Sequence, residues 1–186
     1  MRMKKAIPNL QHTGKVDYAL YGISRTIADG DYEEHRHTGV ELMLILGGEA
    51  RHIVNGIEFE ALAGKVFIIH PTMRHELRDR KALDEVKIGC QPRAFAALAP
   101  ELTRIKSFRA FTTSPLPGSS TVPCLQLVQE DFAQAHDLAL KMLGEYKQKQ
   151  FGWQTAMRSR FGLLLTILAQ ASIRQEETLA PSLPRL

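Results

Sequence analysis

The dipeptide Asn55-Gly56, together with the segments on both sides of it, constrains the fold of this chain more than any other feature. Residues 49–54 alternate polar and apolar side chains, and residues 57–62 have the character of a partner strand. Asn-Gly is the preferred sequence of the two-residue type I′ turn that joins antiparallel strands. The sequence therefore predicts a β-hairpin at this point in the chain.

Four further segments around this hairpin also have the character of short strands. They are residues 16–25, 41–46, 66–69 and 86–90. Turn-forming residues separate the segments, at 28–31, Gly47-Gly48, Ala63-Gly64 and Pro71. Strands with turns about every 8–12 residues, and with no helix between them, predict an antiparallel β-barrel or sandwich.

Beyond a proline-containing connection at 91–124, with a short helix expected near 95–98, the apolar spacing becomes helical. Two amphipathic helices of about 18–20 residues are predicted, joined near residues 150–152. The second helix has a wider apolar arc than packing on one side requires. This arc either caps the sheet or pairs with a second copy of the chain, and we expect a homodimer interface at Leu163, Leu164, Ile167 and Leu168.

Composition places the chain among ordinary globular proteins. Its 186 residues, 44% hydrophobic and 24% charged, fit one domain, with or without a helical appendage. The net charge of +4 is mild and no basic stripe is interleaved with aromatic residues, so we expect no direct nucleic-acid binding. Cys90 and Cys124 suit reduced thiols, and no apolar run approaches a membrane span. A cytoplasmic location is expected.

A cluster of histidines is the main candidate for function. On a strand, His35, His37 and Glu41 share one face, and Gly39 keeps the middle of that face open. His75 follows later, behind the turn at Pro71. Three imidazoles and one carboxylate form a ligand set for one divalent transition metal: Zn, Ni, Fe or Mn. The same groups could instead hydrogen-bond a polar small molecule.

Apolar residues are expected to line the wall beside these groups. Met43 and Ile45 share the inward parity of Glu41, and Phe67 and Ile69 join them from the next strand. Apolar walls with a few converging polar groups suit a small ligand such as a sugar or an organic acid, although aliphatic walls are also usual in any barrel core. The predicted pocket comprises His35, His37, Glu41, Met43, Ile45, Phe67, Ile69 and His75.

Residues 30–77 resemble the cupin family. The first cupin motif is matched by Gly30, His35, His37, Glu41 and Gly48, with its first gap one residue short. The second motif is matched by Gly64, Pro71 and His75, with Met73 in place of a glycine and a shortened gap before the histidine. That shortening, the Asn-Gly hairpin and the trailing helix pair resemble the sensing domains of AraC/XylS-type transcription regulators.

The resemblance implies a mainly β fold, a cupin-type antiparallel β-barrel (jelly roll) followed by a C-terminal helical pair. It divides the chain into an arm (1–15), the barrel with its connection (16–124), a helical dimerisation segment (125–175) and a tail (176–186). The implied function is sensing of a small-molecule effector, with no catalytic residue. Such regulators continue into helix-turn-helix units, which these residues do not provide. The alternative is a metal-dependent cupin isomerase or dioxygenase using His35, His37, Glu41 and His75.

Overall fold

In the computed structural model, residues 20–91, 100–105, 108 and 124–179 are described. Within them, six β-strands are followed by two α-helices, with a short 3₁₀ helix at Pro100–Arg104. The strands are β1 Leu20–His35, β2 Val40–Val54, β3 Ile57–Leu62, β4 Lys65–Ile69, β5 His75–Cys90 and β6 Cys124–Gln126. The helices are α1 Gln129–Gln148 and α2 Trp153–Leu179.

The strands form one antiparallel sheet in the order β1-β5-β2-β4-β6, and β3 pairs with the second half of β2. The predicted hairpin is confirmed: Val54 pairs with Ile57, and both turn residues have positive φ, 50° at Asn55 and 80° at Gly56. The mainly antiparallel fold with two C-terminal helices is confirmed. Among the described residues, the sheet is not closed by a pairing between β1 and β6.

Two of the predicted turns are wrong. Residues 28–31 and the pair Gly47-Gly48 do not end strands, because β1 and β2 run straight through them. The pairing register shifts at these points instead, between Ala28 and Tyr32 and between Ile45 and Arg51. Glycine and aspartate in a strand mark β-bulges as well as turns, and here they mark bulges.

These bulges lie at one level across β1, β5 and β2 and form a corner in the three-stranded ribbon. Backbone φ is positive at Gly30 on β1, at Gly48 on β2, and at Asp79 and Ala82 on β5. Bulges bend the strands that contain them and increase their twist. The ribbon therefore folds back on itself at this corner.

Side chains of β1 hold the corner in place. The carboxylate of Asp29 accepts a hydrogen bond from the backbone N–H of Ala82 at 2.8 Å. The carboxylate of Asp31 accepts one from the backbone N–H of Asp79 at 2.9 Å. Both donors belong to residues with positive φ, so these bonds satisfy backbone groups that the bulges remove from the ladder.

The two faces of the sheet have different partners. One face packs against α1 and α2, and its buried residues include Leu42, Leu44, Val66, Ile68, Val86 and Ile88. The opposite face, which we call the site face, carries a separate apolar cluster on the same strands. That cluster includes Met43, Ile45, Phe67, Ile69, Met73 and Leu77. Adjacent strand residues alternate between the two clusters, as the pleat requires.

The helix pair follows the predicted pattern with one correction. The chain turns at Lys149 (φ 49°) and Gly152 (φ 84°), next to the predicted junction. Helix α2 extends to Leu179, so residues 176–179 are helical rather than part of a tail. Neither described helix is long and apolar enough to cross a membrane. The arm at 1–15, the helix expected near 95–98 and residues 180–186 lie outside the described residues.

Replacing Gly48 by alanine should disrupt the corner. A Cβ at this position would lie 2.2 Å from the carbonyl oxygen of Ala82, and the φ of 70° is itself unfavourable for alanine. We expect Gly48→Ala to reduce the free energy of unfolding by more than about 2 kcal/mol in urea denaturation. Gly47→Ala is the matched control, because a Cβ there meets no atom within 4 Å. Equal stability of the two variants would contradict this account of the corner.

Candidate metal and ligand site

The corner brings together residues from opposite ends of the ribbon. His75 pairs with Val54 at one end of the β2–β5 ladder, and Glu41 pairs with Gly89 at the other. A straight strand would separate these ends by about 45 Å. In the folded ribbon, Nε2 of His75 lies 3.9 Å from Oε1 of Glu41. The bend therefore brings Glu41 to His75, whereas His35 is the direct cross-strand partner of His75. The prediction that His35, His37 and Glu41 share one strand is wrong, because His37 lies in the connection between β1 and β2.

The three motif histidines form a compact group. Each of His35, His37 and His75 offers one ring nitrogen, and these atoms all lie within 4.8 Å of one another. Oε1 of Glu41 lies 3.5 Å from Nε2 of His37. Metal–ligand bonds of about 2.0–2.2 Å place neighbouring ligand atoms about 3–4 Å apart. The separations of Oε1 of Glu41 from His37 (3.5 Å) and from His75 (3.9 Å) meet this requirement, and the three ring nitrogens come close to it.

His35 has its tautomer fixed by the backbone. Its Nδ1 lies 2.9 Å from the carbonyl oxygen of Glu33, which can only accept, so Nδ1 carries the proton. The lone pair is then on Nε2, which is buried and has no hydrogen-bond partner. Burial is also the main cause of a lowered pKa at His35. A neutral imidazole with its second nitrogen held by a carbonyl is the usual state of a metal-ligating histidine.

His75 is also held neutral. It is 1% exposed, and burial lowers its pKa to about 2, although the charge of Glu41 opposes the shift. Its Nε2 lies 2.7 Å from Nε2 of His37, so one of these two nitrogens carries a hydrogen and the other accepts it. A metal would need both lone pairs. A bound cation would therefore replace this hydrogen bond and be coordinated by both nitrogens.

Glu41 is an ionised carboxylate beside these imidazoles. Burial alone would raise its pKa, but the contact with His37 and the charge of Lys87 lower the pKa to about 2. Its Oε1 is buried and accepts no hydrogen bond. The unpartnered oxygen of Glu41 and the unpartnered nitrogen of His35 are therefore both available to a cation. On this observation, the four residues fit a divalent transition metal.

The side chain of His52, on β2, also points inside and is 0% exposed. Its Nε2 lies 2.9 Å from Nδ1 of His75, and its ring stands edge-to-face with Phe67 at 4.4 Å. Before the bulge, the inward positions of β2 have odd numbers; after it, they have even numbers. Strict alternation from Glu41 would therefore have turned His52 to the wrong side.

Sequence analysis also missed a buried ion pair on β5. Nζ of Lys87 lies 2.9 Å from Oε1 of Glu85, which is 1% exposed, and 4.8 Å from the ring centre of Tyr32. Lys87 pairs with Met43 and Glu85 pairs with Ile45, so both belong to the site face. The only signal in the sequence was the alternation of charged and apolar residues at 85–88.

The charges of this pair depend on their surroundings. Burial raises the pKa of Glu85, and the ammonium of Lys87 partly offsets the shift. Burial lowers the pKa of Lys87, but the carboxylates of Glu41 and Glu85 outweigh it and the net shift is upward. Oε2 of Glu85 is buried without a partner. The site face therefore presents a second unpartnered carboxylate oxygen, next to an ammonium group.

The predicted wall residues lie on this face. Met43, Ile45, Phe67 and Ile69 are each 0% exposed and belong to one apolar cluster. His70 is 8% exposed, and its Nδ1 lies 2.8 Å from Oγ1 of Thr72 in the turn after β4. Among the described residues, no hydrogen bond joins His70 to the other histidines.

The four residues expected at a dimer interface separate into two groups. Leu164 and Leu168 are 0% exposed and pack in the core between the helices and the sheet. Leu163 is 58% exposed and Ile167 is partly exposed. These two line a groove between the helices, together with Gln134, Asp137, Leu138 and Thr166. Only Leu163 and Ile167 of the set are therefore on the outer surface of α2.

One protein-family model, described as the AraC-like ligand binding domain, matches residues 17–165. No curated protein matches the chain. Solved structures that cover most of it include an apo variant of ToxT from Vibrio cholerae, with TM-score 0.54 and 9% identity, and the AraC-like transcriptional activator CuxR, with TM-score 0.50 and 10% identity. The matches cover 88% and 81% of this chain.

The similarity to these two proteins concerns the fold. The matched region spans 59% of the ToxT chain and 51% of the CuxR chain. A cupin protein from Bacteroides fragilis also matches, with TM-score 0.33, 18% identity, and coverage of 46% of this chain and 86% of its own.

The buried histidines should make the protein unstable in acid. The unfolded chain binds a proton on each histidine near pH 6.5, whereas His75 and His52 in the folded chain have pKa values of about 2 and about 3. The unfolded state therefore binds more protons as the pH falls below about 6.5. We expect the free energy of unfolding to decrease by up to about 1.4 kcal/mol per pH unit for each of the two.

Urea denaturation at about pH 7, 6 and 5 measures this dependence. His75→Gln should make it shallower, and His136→Gln, at a histidine outside the cluster, is the comparison variant. A slope that is the same in all three proteins would contradict the burial of a neutral His75.

Proposed function

Because its residues 17–165 match the family model, the chain belongs to the AraC-like ligand-binding domain family, and we propose that it is the small-molecule-sensing and dimerisation domain of a cytoplasmic transcription regulator. The observation that carries the proposal is the site face. Buried polar atoms without partners stand there among apolar side chains: Nε2 of His35, Oε1 of Glu41, Nδ1 of His52 and Oε2 of Glu85. Such unpaired groups are costly in an empty fold and useful in a binding site.

We propose that the sheet closes into a cupin-type jelly-roll barrel with this face inside. The corner folds the β1–β5–β2 ribbon over itself, and Met43, Ile45 and Phe67 of the site face are fully buried. A sugar or an organic acid would lie against this apolar wall and use the polar groups to fix its orientation. The effector would act by binding more tightly to one of two states of the domain.

The same site is proposed to hold one divalent transition metal (Zn, Ni, Fe or Mn). His35, His37, His75 and Glu41 would be its ligands, and the bound ion would supply a Lewis acid that orients an oxygen-bearing ligand. A metal-dependent isomerase or dioxygenase would use the same four side chains. The family match and the helix pair favour the sensor over this enzyme.

We propose that two copies of the domain pair through the outer surface of α1 and α2. Leu163 is more than half exposed on α2, and Ile167 lies one turn further along the same surface. The groove beside them is lined by Leu138 and Asp137 of α1 and Thr166 of α2. An exposed apolar strip with polar residues at its margins is typical of an interaction surface.

A panel of aldopentoses, aldohexoses and short carboxylic acids tests the sensing function. An effector present at 100 times its Kd should stabilise the domain by about 2.7 kcal/mol, which a thermal-shift titration detects. Glu85→Gln removes the charge of a buried acceptor and should weaken binding of that effector by about 10- to 100-fold. Glu60→Gln, on the exposed side of β3, is the control. If no compound of either class stabilised the protein, sensing of these classes would be excluded.

Light scattering at tens of micromolar tests the dimer. Leu163→Asp places a charge on the proposed interface and should convert the protein to a monomer. Ile27→Asp is a matched control, because Ile27 is also an exposed apolar residue (64%) but lies on β1. A monomeric parent protein, or a dimer that survives Leu163→Asp, would refute pairing through this surface.

A further inference from the structure

The imidazole of His75 has a nitrogen partner on each side of its ring. Its Nε2 lies 2.7 Å from Nε2 of His37, and its Nδ1 lies 2.9 Å from Nε2 of His52. All three rings thus form one hydrogen-bonded chain that leads from the metal-ligand group into the core. His52 at the inner end is 0% exposed and is not among the four proposed metal ligands.

A neutral imidazole has one N–H and one lone pair, so His75, the ring with a partner on each side, donates through one nitrogen and accepts through the other. For His35 the direction is fixed, because the carbonyl of Glu33 only accepts. For His75 it is not fixed by a carbonyl, since both of its partners are imidazoles. A ligand must turn its lone pair toward the metal, so only one of the two directions is compatible with metal binding.

We propose that His52 is a positioning residue for the metal ligand His75. Nε2 of His52 accepts a hydrogen bond from Nδ1–H of His75, and this leaves the lone pair of His75 on Nε2, facing His37 and Glu41. His52 therefore fixes the tautomer of His75, as the carbonyl of Glu33 fixes the tautomer of His35. The inference rests on the proposed metal site and adds a residue that belongs to neither cupin motif.

The surroundings of His52 suit this role. Its ring stands edge-to-face with Phe67 at 4.4 Å and 86°, which limits its rotation. On the backbone, His52 pairs with Phe59 of β3 on one side and with Leu77 of β5 on the other. Leu77 is two residues from His75 on the same face of β5, so the ladder fixes the distance between the two rings.

Zinc affinity of the apo-protein, measured by competition with a chromophoric chelator, tests the inference. The amide of glutamine can reach the position of the histidine Nε2, whereas the shorter asparagine places its amide near the position of Nδ1. We expect His52→Asn to weaken zinc binding by about 10- to 100-fold, and His52→Gln to stay within about threefold of the parent. His136→Gln is the control and should match the parent.

The absorption spectrum of bound Co²⁺ reports the geometry of the metal ligands directly, so it separates a positioning role of His52 from a loss of core packing. Its d–d absorption should be altered in His52→Asn and restored in His52→Gln, with both variants folded by near-ultraviolet circular dichroism. Parental zinc affinity in His52→Asn would overturn the role of His52. Failure of the parent to bind zinc would also overturn it, but would leave the sensing function standing, because the effector panel is measured without metal.

Discussion

The bulged corner of the β1–β5–β2 ribbon is the constraint on which the rest of the structure depends. Four residues with positive φ, Gly30, Gly48, Asp79 and Ala82, lie at one level of three adjacent strands. The bend folds the half of the ribbon that carries His75 over the half that carries Glu41. Without it, these two side chains would lie at opposite ends of a long ladder, and neither a metal site nor an enclosed ligand site could form.

The two faces of the sheet around this corner differ in composition. The buried cluster on the helix-facing side is apolar and is sealed by residues of α2 such as Leu164 and Leu168. The site face combines an apolar cluster with imidazoles and carboxylates that are not fully hydrogen-bonded. Burial of these groups costs stability, and a bound cation or effector would recover part of that cost. In the proposed site, a ligand would complete these interactions.

The local elements of the fold were predictable from the sequence, and their ends were less so. The Asn55-Gly56 hairpin and β3 were predicted at their observed positions because a type I′ turn needs only local chemistry. The glycines at 30, 47 and 48 were read as turns, although β1 and β2 continue through them. A bulge and a turn use the same residue types, and only the strands paired on either side distinguish them.

For the candidate site, the sequence by itself determined which chemistry is present: the motif histidines, Glu41 and the apolar residues that share its parity are visible from spacing alone. Only the tertiary structure decided which other groups join them. His52 lies on the site face because a bulge shifts the parity of β2 by one residue. Glu85 and Lys87 lie on the same face because they pair across the strands with Ile45 and Met43. Register between distant strands is a non-local property, set by cooperative pairing and burial, and no short sequence pattern carries it.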